Sequence, residues 1–204
     1  MGFYRDWLFP RALDLIMRQK QMIPFREQIG KAATGRVLDV GIGSGLNLPF
    51  YGNRVERIVG VDPSPELLRF ADLRSRESGG PVELVRGPGE ALPIEDHSID
   101  TAVLTFTLCS VENASATLSE IRRVLRPGGT LLFAEHGHAP EPGVARWQDR
   151  LTPFWSRIAG GCHLNRKPDE LMRSAGFRFE RLRTEYLKGP RPMTFVYSGS
   201  ARPA

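Results

Sequence analysis

Five stretches of the chain are apolar at most positions and are bounded by charge, glycine or proline: residues 37–40, 57–62, 82–87, 98–106 and 130–136. Short apolar runs without strict alternation predict strands buried on both faces, as in a parallel sheet. Helical patterns fall between them. Ser64 as N-cap and Pro65 at the first helical position predict a helix start after the second strand. Residues 116–125 place Leu118, Ile121, Val124 and Leu125 on one helical face, and Arg126-Pro127-Gly128-Gly129 closes that helix. Trp147, Phe154 and Trp155 lie on one or two predicted helices interrupted by Pro153. A helix over 168–175 is closed by Gly176, and two strands follow near 177–186 and 193–200. Strand alternating with helix predicts an α/β, Rossmann-like doubly wound sheet in one domain.

Residues 1–30 precede the first strand. Phe3, Trp7, Leu8, Leu13, Leu15, Ile16, Met17, Met22, Ile23, Phe25 and Ile29 recur at helical spacing, and Pro10 and Pro24 divide the stretch into two helices. Arg5, Arg11, Arg18, Lys20 and Arg26 supply the polar side. This start reads as a lid or cap over a ligand site. Peripheral contact with a membrane surface is the second reading.

The first strand runs into Gly41-Ile42-Gly43-Ser44-Gly45, a turn expected to open a short helix. Glycines there let the backbone turn tightly and a ligand press against it. A dinucleotide fingerprint needs glycine at the sixth position from Gly41, which is Leu46, so a nicotinamide cofactor is disfavoured. The second strand ends in Asp62, roughly 20 residues on, where a doubly wound fold places the carboxylate that holds ribose hydroxyls. A carboxylate has two acceptor oxygens and suits a vicinal diol. The chain after the first and fourth strands flanks the ligand crevice, so Thr105, Phe106, Leu108 and Cys109 are expected there.

The 204 residues carry a net charge of +5, mostly through Arg, with no concentrated basic block and no interleaved aromatics. A solvated surface is favoured over nucleic-acid binding. No apolar run reaches membrane-spanning length and no signal peptide is evident. The two cysteines, Cys109 and Cys162, form neither a metal-like cluster nor a disulfide framework, which fits a cytoplasmic setting.

Asp39, Gly41, Gly43 and Gly45, the acid at 62 and its neighbour Pro63, the Leu92-Pro93 loop and the run from Arg122 to Gly129 occur in an order similar to that of class I S-adenosylmethionine (SAM) dependent methyltransferases. The resemblance covers roughly residues 36–136. It implies SAM as cofactor, no metal, and a seven-stranded sheet whose last strand is antiparallel. It also implies an adenine-side loop at Gly89, Glu90 and Ala91, with Pro88 where the superfamily often has Asp, and a donor side at Thr105, Phe106 and Cys109. A closer resemblance runs through Leu108-Cys109-Ser110-Val111, Phe133-x-Glu135-His136, Trp147-Gln148, Pro153-x-Trp155, Gly160-Gly161-Cys162-x-Leu164-Asn165-Arg166 and Lys188-Gly189-Pro190. These look like the methyltransferase-like thiol S-methyltransferases of animals. Those carry an N-terminal hydrophobic anchor, and none is expected here.

That resemblance implies methylation of a small-molecule thiol. A thiol with pKa about 8.5 is only partly ionised at neutral pH, so a nearby His can complete its deprotonation. His136, after the fifth strand, and His163, in the polar loop, are the candidate bases. Trp147, Phe154 and Trp155 read as pocket wall or core. A lipid, quinone-like or amine acceptor and a SAM-binding protein without turnover are the competing readings.

Overall fold

The computed structural model describes residues 4–78 and 80–204, without the side chains of Arg5 and Asp6. Phe3 and the side chain of Arg5 therefore lie outside the described residues. The described residues form one seven-stranded sheet in the order β3-β2-β1-β4-β5-β7-β6. Its strands are β1 Gly35–Val40, β2 Val55–Asp62, β3 Val82–Arg86, β4 Ile99–Thr105, β5 Leu125–His136, β6 Phe177–Tyr186 and β7 Phe195–Pro203. The first five pair in parallel, and β7 runs antiparallel between β5 and β6. The doubly wound sheet with an antiparallel last strand is the expected one.

Both faces are buried, which is why the strands read as near-continuous apolar runs. Leu38, Val40, Val59, Val61, Ala102, Leu104, Leu131 and Phe133 point to one face, where they meet Leu118, Ile121 and Val124 of α4 (Ala114–Val124) and Met172 of α6 (Pro168–Ser174). Val37, Ile58, Val103, Leu132 and Ala134 alternate to the other, where Phe25 and Ile29 of α2 (Ile23–Ala32) cover them. This period-two division is the signature of the pleat. Helix α3 (Pro65–Ser75) begins as expected, with the Ser64 hydroxyl accepting from Leu67 N at 3.3 Å.

Four details refine the expectation. Pro10 and Pro24 sit in the first turns of α1 (Phe9–Met17) and α2, where a missing N–H costs nothing, so the expected two helices each begin at a proline. The glycine turn opens no α-helix; tight turns lead to a 3-10 turn at Leu48–Phe50. Helix α4 begins two residues before the expected start, because Asn113 caps it by accepting from Ala116 N at 3.0 Å. Pairing of Leu125 with Ile99 carries β5 back through the proline–glycine run.

A fifth concerns α5, which spans Pro142–Ile158 as a single helix with Pro153 inside it. It buries Gln148 and Thr152, one turn apart, and leaves Trp147 and Phe154 exposed, so these two aromatics are neither core nor pocket wall. Gln148 anchors the helix through Ala139 N and the carbonyls of Gly137 and Pro192 at 2.8–3.1 Å. A fully satisfied buried amide is as demanding of register as an apolar contact.

Candidate functional site

The sheet order reverses between β1 and β4, and ligands of doubly wound sheets bind at the carboxyl ends of the strands beside such a point. There the chain leaves β1 through Gly41, Gly43 and Gly45, all at positive φ (68°, 56° and 78°). Only glycine takes such angles without strain. A Cβ on Gly41 would stand 2.3 Å from Thr107 Oγ1, so this turn and the segment after β4 touch. A Cβ on Gly43 would meet only the Gly41 carbonyl, at 3.9 Å, which leaves open space above the turn.

Asp62 closes the turn from the β2 side. Its carboxylate accepts from Gly43 N at 3.0 Å and Ser64 N at 2.8 Å. Burial raises its pKa, against those two hydrogen bonds. Two oxygens offer about four lone-pair sites, so two remain for a diol. Pro63 beside it is exposed.

Asp39 is fully buried at the end of β1. Its Oδ2 accepts from Tyr51 Oη at 2.8 Å and Asn47 Nδ2 at 3.1 Å, and Asn47 also reaches Thr105 Oγ1 at 3.0 Å. Asp39 Oδ1 and Asn47 Oδ1 are buried acceptors without a hydrogen-bond donor. Asn47 and Tyr51 are site residues that the sequence reading missed; their only signal was a polar side chain just after the glycines. Burial pushes Asp39 up to about 6, against Tyr51, Asn47 and the Arg26 charge.

A carboxyl raised on folding contributes stability that is full below its unfolded pKa of about 3.9 and is lost as pH rises through about 6. Asp39→Asn is therefore expected to gain about 2 kcal/mol relative to the parent between pH 4 and pH 8 in ligand-free protein. Urea unfolding at both pH values reads this difference. Parallel pH profiles would remove Asp39 as the titrating group.

In the loop expected beside the adenine, Gly89 is buried against Val40 and Thr117, and Ala91 is exposed. Glu90 is turned away from an adenine role at one oxygen, since its Oε1 accepts from Asn113 N at 3.0 Å, at the entry to α4.

The ends of β4 and β5 form the opposite wall. Phe106 has φ 54°, a strained angle for a bulky residue, and is held by Phe106 N donating to Ala134 O at 2.9 Å. Glu135 is fully buried, and its Oε1 accepts from Thr107 N at 2.9 Å. The amides of Leu108 and Cys109 also face this carboxyl, while its Oε2 lacks a donor. Burial holds its pKa well above the usual carboxylate range. His136 is 7% exposed, and burial lowers its pKa, so the ring is neutral at pH 7. Both ring nitrogens are buried without a hydrogen-bond partner, and the Cys109 thiol is near enough to act on the ring electrostatically.

The loop after α5 completes this wall. His163 N donates to Cys109 O at 2.8 Å, and Arg166 Nη1 donates to the carbonyls of Leu108 and Val111 at 2.6 and 2.7 Å. The His163 backbone is thus tied to the segment after β4, at the end of the sheet where β5 places His136. The two free cysteines, Cys109 and Cys162, lie on these two joined segments, and each acts on the pKa of the other. Sequence separation hid this pair.

The residues present fit SAM. Asp62 is placed for ribose hydroxyls, the space above Gly43 admits a ligand against backbone, and the unpartnered Asp39 and Asn47 oxygens suit a cationic sulfonium amino acid. No group of three or more His, Cys, Asp or Glu placed to hold a metal occurs among the described residues. No described helix is long and apolar enough to cross a membrane.

Comparison with known proteins agrees with this geometry. Residues 38–133 match the model of the methyltransferase domain family. The chain is 37% identical to human thiol S-methyltransferase TMT1B over 151 residues, covering 71% of this chain and 62% of that protein. It is 32% identical to human thiol S-methyltransferase TMT1A over 170 residues, covering 81% of this chain and 68% of that protein. The chain therefore spans about two thirds of these relatives. A solved SAM-dependent methyltransferase from Methanosarcina mazei superposes with a TM-score of 0.66 at 23% identity, covering 82% of this chain and 92% of that one, which speaks for the fold. The chain belongs to the class I S-adenosylmethionine-dependent methyltransferases, and is kin to the thiol S-methyltransferases TMT1A and TMT1B.

Proposed function

We propose that this protein transfers a methyl group to the sulfur of a small thiol. The observation that carries the reading is a neutral, buried His136 with both ring nitrogens unpartnered, across the crevice from a glycine turn that Thr107 touches. The relatives TMT1A and TMT1B are named thiol S-methyltransferases, which supports the same acceptor class. SAM supplies, when bound, a methyl carbon already activated by its sulfonium. The protein's task is then to align a sulfur lone pair and exclude water.

Asp62, Pro63 and the backbone at Gly41, Gly43 and Gly45 bind the nucleoside end. Gly89, Glu90 and Ala91 flank its base, and Asp39 faces the amino-acid end. Thr105, Phe106 and Cys109 line the donor side. His136 takes the proton of the incoming thiol, and His163 is the second candidate. His136→Ala is expected to lower turnover about 100-fold, the lower range for a general base, with SAM affinity unchanged by calorimetry. Equal turnover of both proteins from pH 6 to 9 would remove His136 as the base.

Residues 1–30 act as a cap within a single domain. Arg74 joins α1 to the glycine turn, donating to Asp14 Oδ1 at 2.8 Å and to the Ser44 carbonyl. Arg11 pairs with Glu66 at 2.8 Å, and Arg26 lies buried near enough to Asp39 to feel its charge. Leu8, Leu15 and Ile16 are exposed on the same segment, which favours peripheral membrane contact as a second role. Two free cysteines suit a reducing, cytoplasmic setting, and nucleic acid is not among the expected partners.

The test is release of S-adenosylhomocysteine from purified protein with SAM and a panel of thiols, amines, phenols and phospholipids. Turnover confined to thiols supports the proposal. Turnover on phospholipid or quinone-like acceptors alone would replace it. Bound SAM without product across the panel would favour a non-catalytic SAM-binding protein.

A further inference from the structure

The segment after β4 and the segment after α5 are locked face to face. His163 N donates to Cys109 O at 2.8 Å, and a Cβ on Gly161 would stand 2.9 Å from the Ser110 carbonyl. Arg166 clamps the same segment through Leu108 O and Val111 O at 2.6 and 2.7 Å. These contacts bracket Cys162 and Cys109 from both sides. A hydrogen bond from the residue after Cys162 to the carbonyl of Cys109 makes the two cysteines near neighbours across the joined segments, as a disulfide requires. Each thiol also acts on the pKa of the other.

The two positions differ in access. Cys162 is half-buried, whereas Cys109 is 4% exposed and sits between the Phe106 carbonyl, at 3.7 Å, and Ser110 Oγ, at 3.4 Å. An outer thiol over an inner one is the arrangement of an attacking and a resolving cysteine.

We propose that Cys109 and Cys162 form a dithiol redox site, which a low-molecular-weight disulfide oxidises to an intramolecular disulfide pinning the segment after β4 to the segment after α5. The Cys162 sulfur attacks one sulfur of the small disulfide. That forms a mixed disulfide and releases the first small thiol, which takes up the proton from Cys162 through solvent. The Cys109 sulfur then attacks the Cys162 sulfur and displaces the second small thiol. The proton of Cys109 goes to the departing small thiolate through solvent. In balance, two protein thiols lose two electrons and two protons, and one small disulfide gains them as two small thiols.

The hydrogen bond from Cys109 and the indole of Trp155 lower the Cys162 thiol below its ordinary pKa, while Cys109 is held well above its own. Both shifts favour Cys162 as the first nucleophile.

Native, reduced protein is exposed to hydroxyethyl disulfide at graded ratios to 2-mercaptoethanol, quenched in acid, alkylated and mapped by mass spectrometry. The chain has only these two cysteines, so the linked peptide is unambiguous. Expected is loss of both alkylatable thiols in the monomer, a Cys109–Cys162 linked peptide, and full reversal by dithiothreitol. Cys109→Ser is expected to stop at a mixed disulfide on Cys162. Cys162→Ser is expected to leave Cys109 unmodified until the protein is unfolded. A parent protein that stops at the mixed disulfide, or keeps both thiols reduced until urea is added, overturns the proposal. The readout is mass alone, so it stands or falls separately from thiol methylation.

Discussion

Replacing Asp62 by alanine is expected to weaken SAM binding by about 2–4 kcal/mol, roughly 30- to 1,000-fold in Kd. Two losses combine. A carboxylate aimed at a vicinal diol makes charge-assisted hydrogen bonds, which are stronger than neutral ones. The same carboxylate holds Gly43 N and Ser64 N, and so shapes the turn against which the ligand lies. Asp62→Asn keeps one acceptor oxygen and should fall between the two. Calorimetry, corrected for the folded fraction by near-ultraviolet circular dichroism, measures it. Unchanged affinity in the alanine protein would end the ribose assignment.

Glu135→Ala is expected to destabilise the fold by about 3–5 kcal/mol. The substitution removes the acceptor of Thr107 N and opens a space in a site with no solvent access. The amides of Leu108 and Cys109 lose the carboxyl they face. Buried N–H groups without a partner bear the full desolvation cost. Glu135→Gln retains a carbonyl oxygen and is expected to lose less than half as much. Urea unfolding of the three proteins separates the cases. A Glu135→Ala protein as stable as the parent would mean that the segment after β4 is held by Arg166 and the His163 amide instead.

The cofactor half of the site was legible in the sequence because it is built from neighbours. Asp39, Gly41, Gly43 and Gly45 lie within seven residues of chain, and their spacing states a backbone requirement that few other residues meet. Asp62 was legible because the doubly wound fold fixes how far along the chain its second strand ends. The acceptor half was only partly legible. His136 and His163 were visible as chemistry, but nothing local said that the His163 backbone would bond to the segment after β4. Glu135 was visible only as part of a run of residues, since a carboxyl at a strand end is ordinarily exposed. Trp147 and Phe154 misled for the converse reason. Aromatic residues usually mark a buried helix face, whereas α5 docks through Gln148 and Thr152.

What the sequence by itself determined is the sheet, its parallel core and the turn for the cofactor. Those follow from apolar periodicity and glycine spacing, which act over a few residues. Only the tertiary structure decided which polar groups meet: Asp14 with Arg74 over the glycine turn, Asn47 between Asp39 and Thr105, and Glu135 beneath the segment after β4. Cys162 against Cys109 belongs with them. Such pairs carry no periodic pattern. They form because burial strips polar groups of water and leaves each one a partner only where the folded chain happens to supply it.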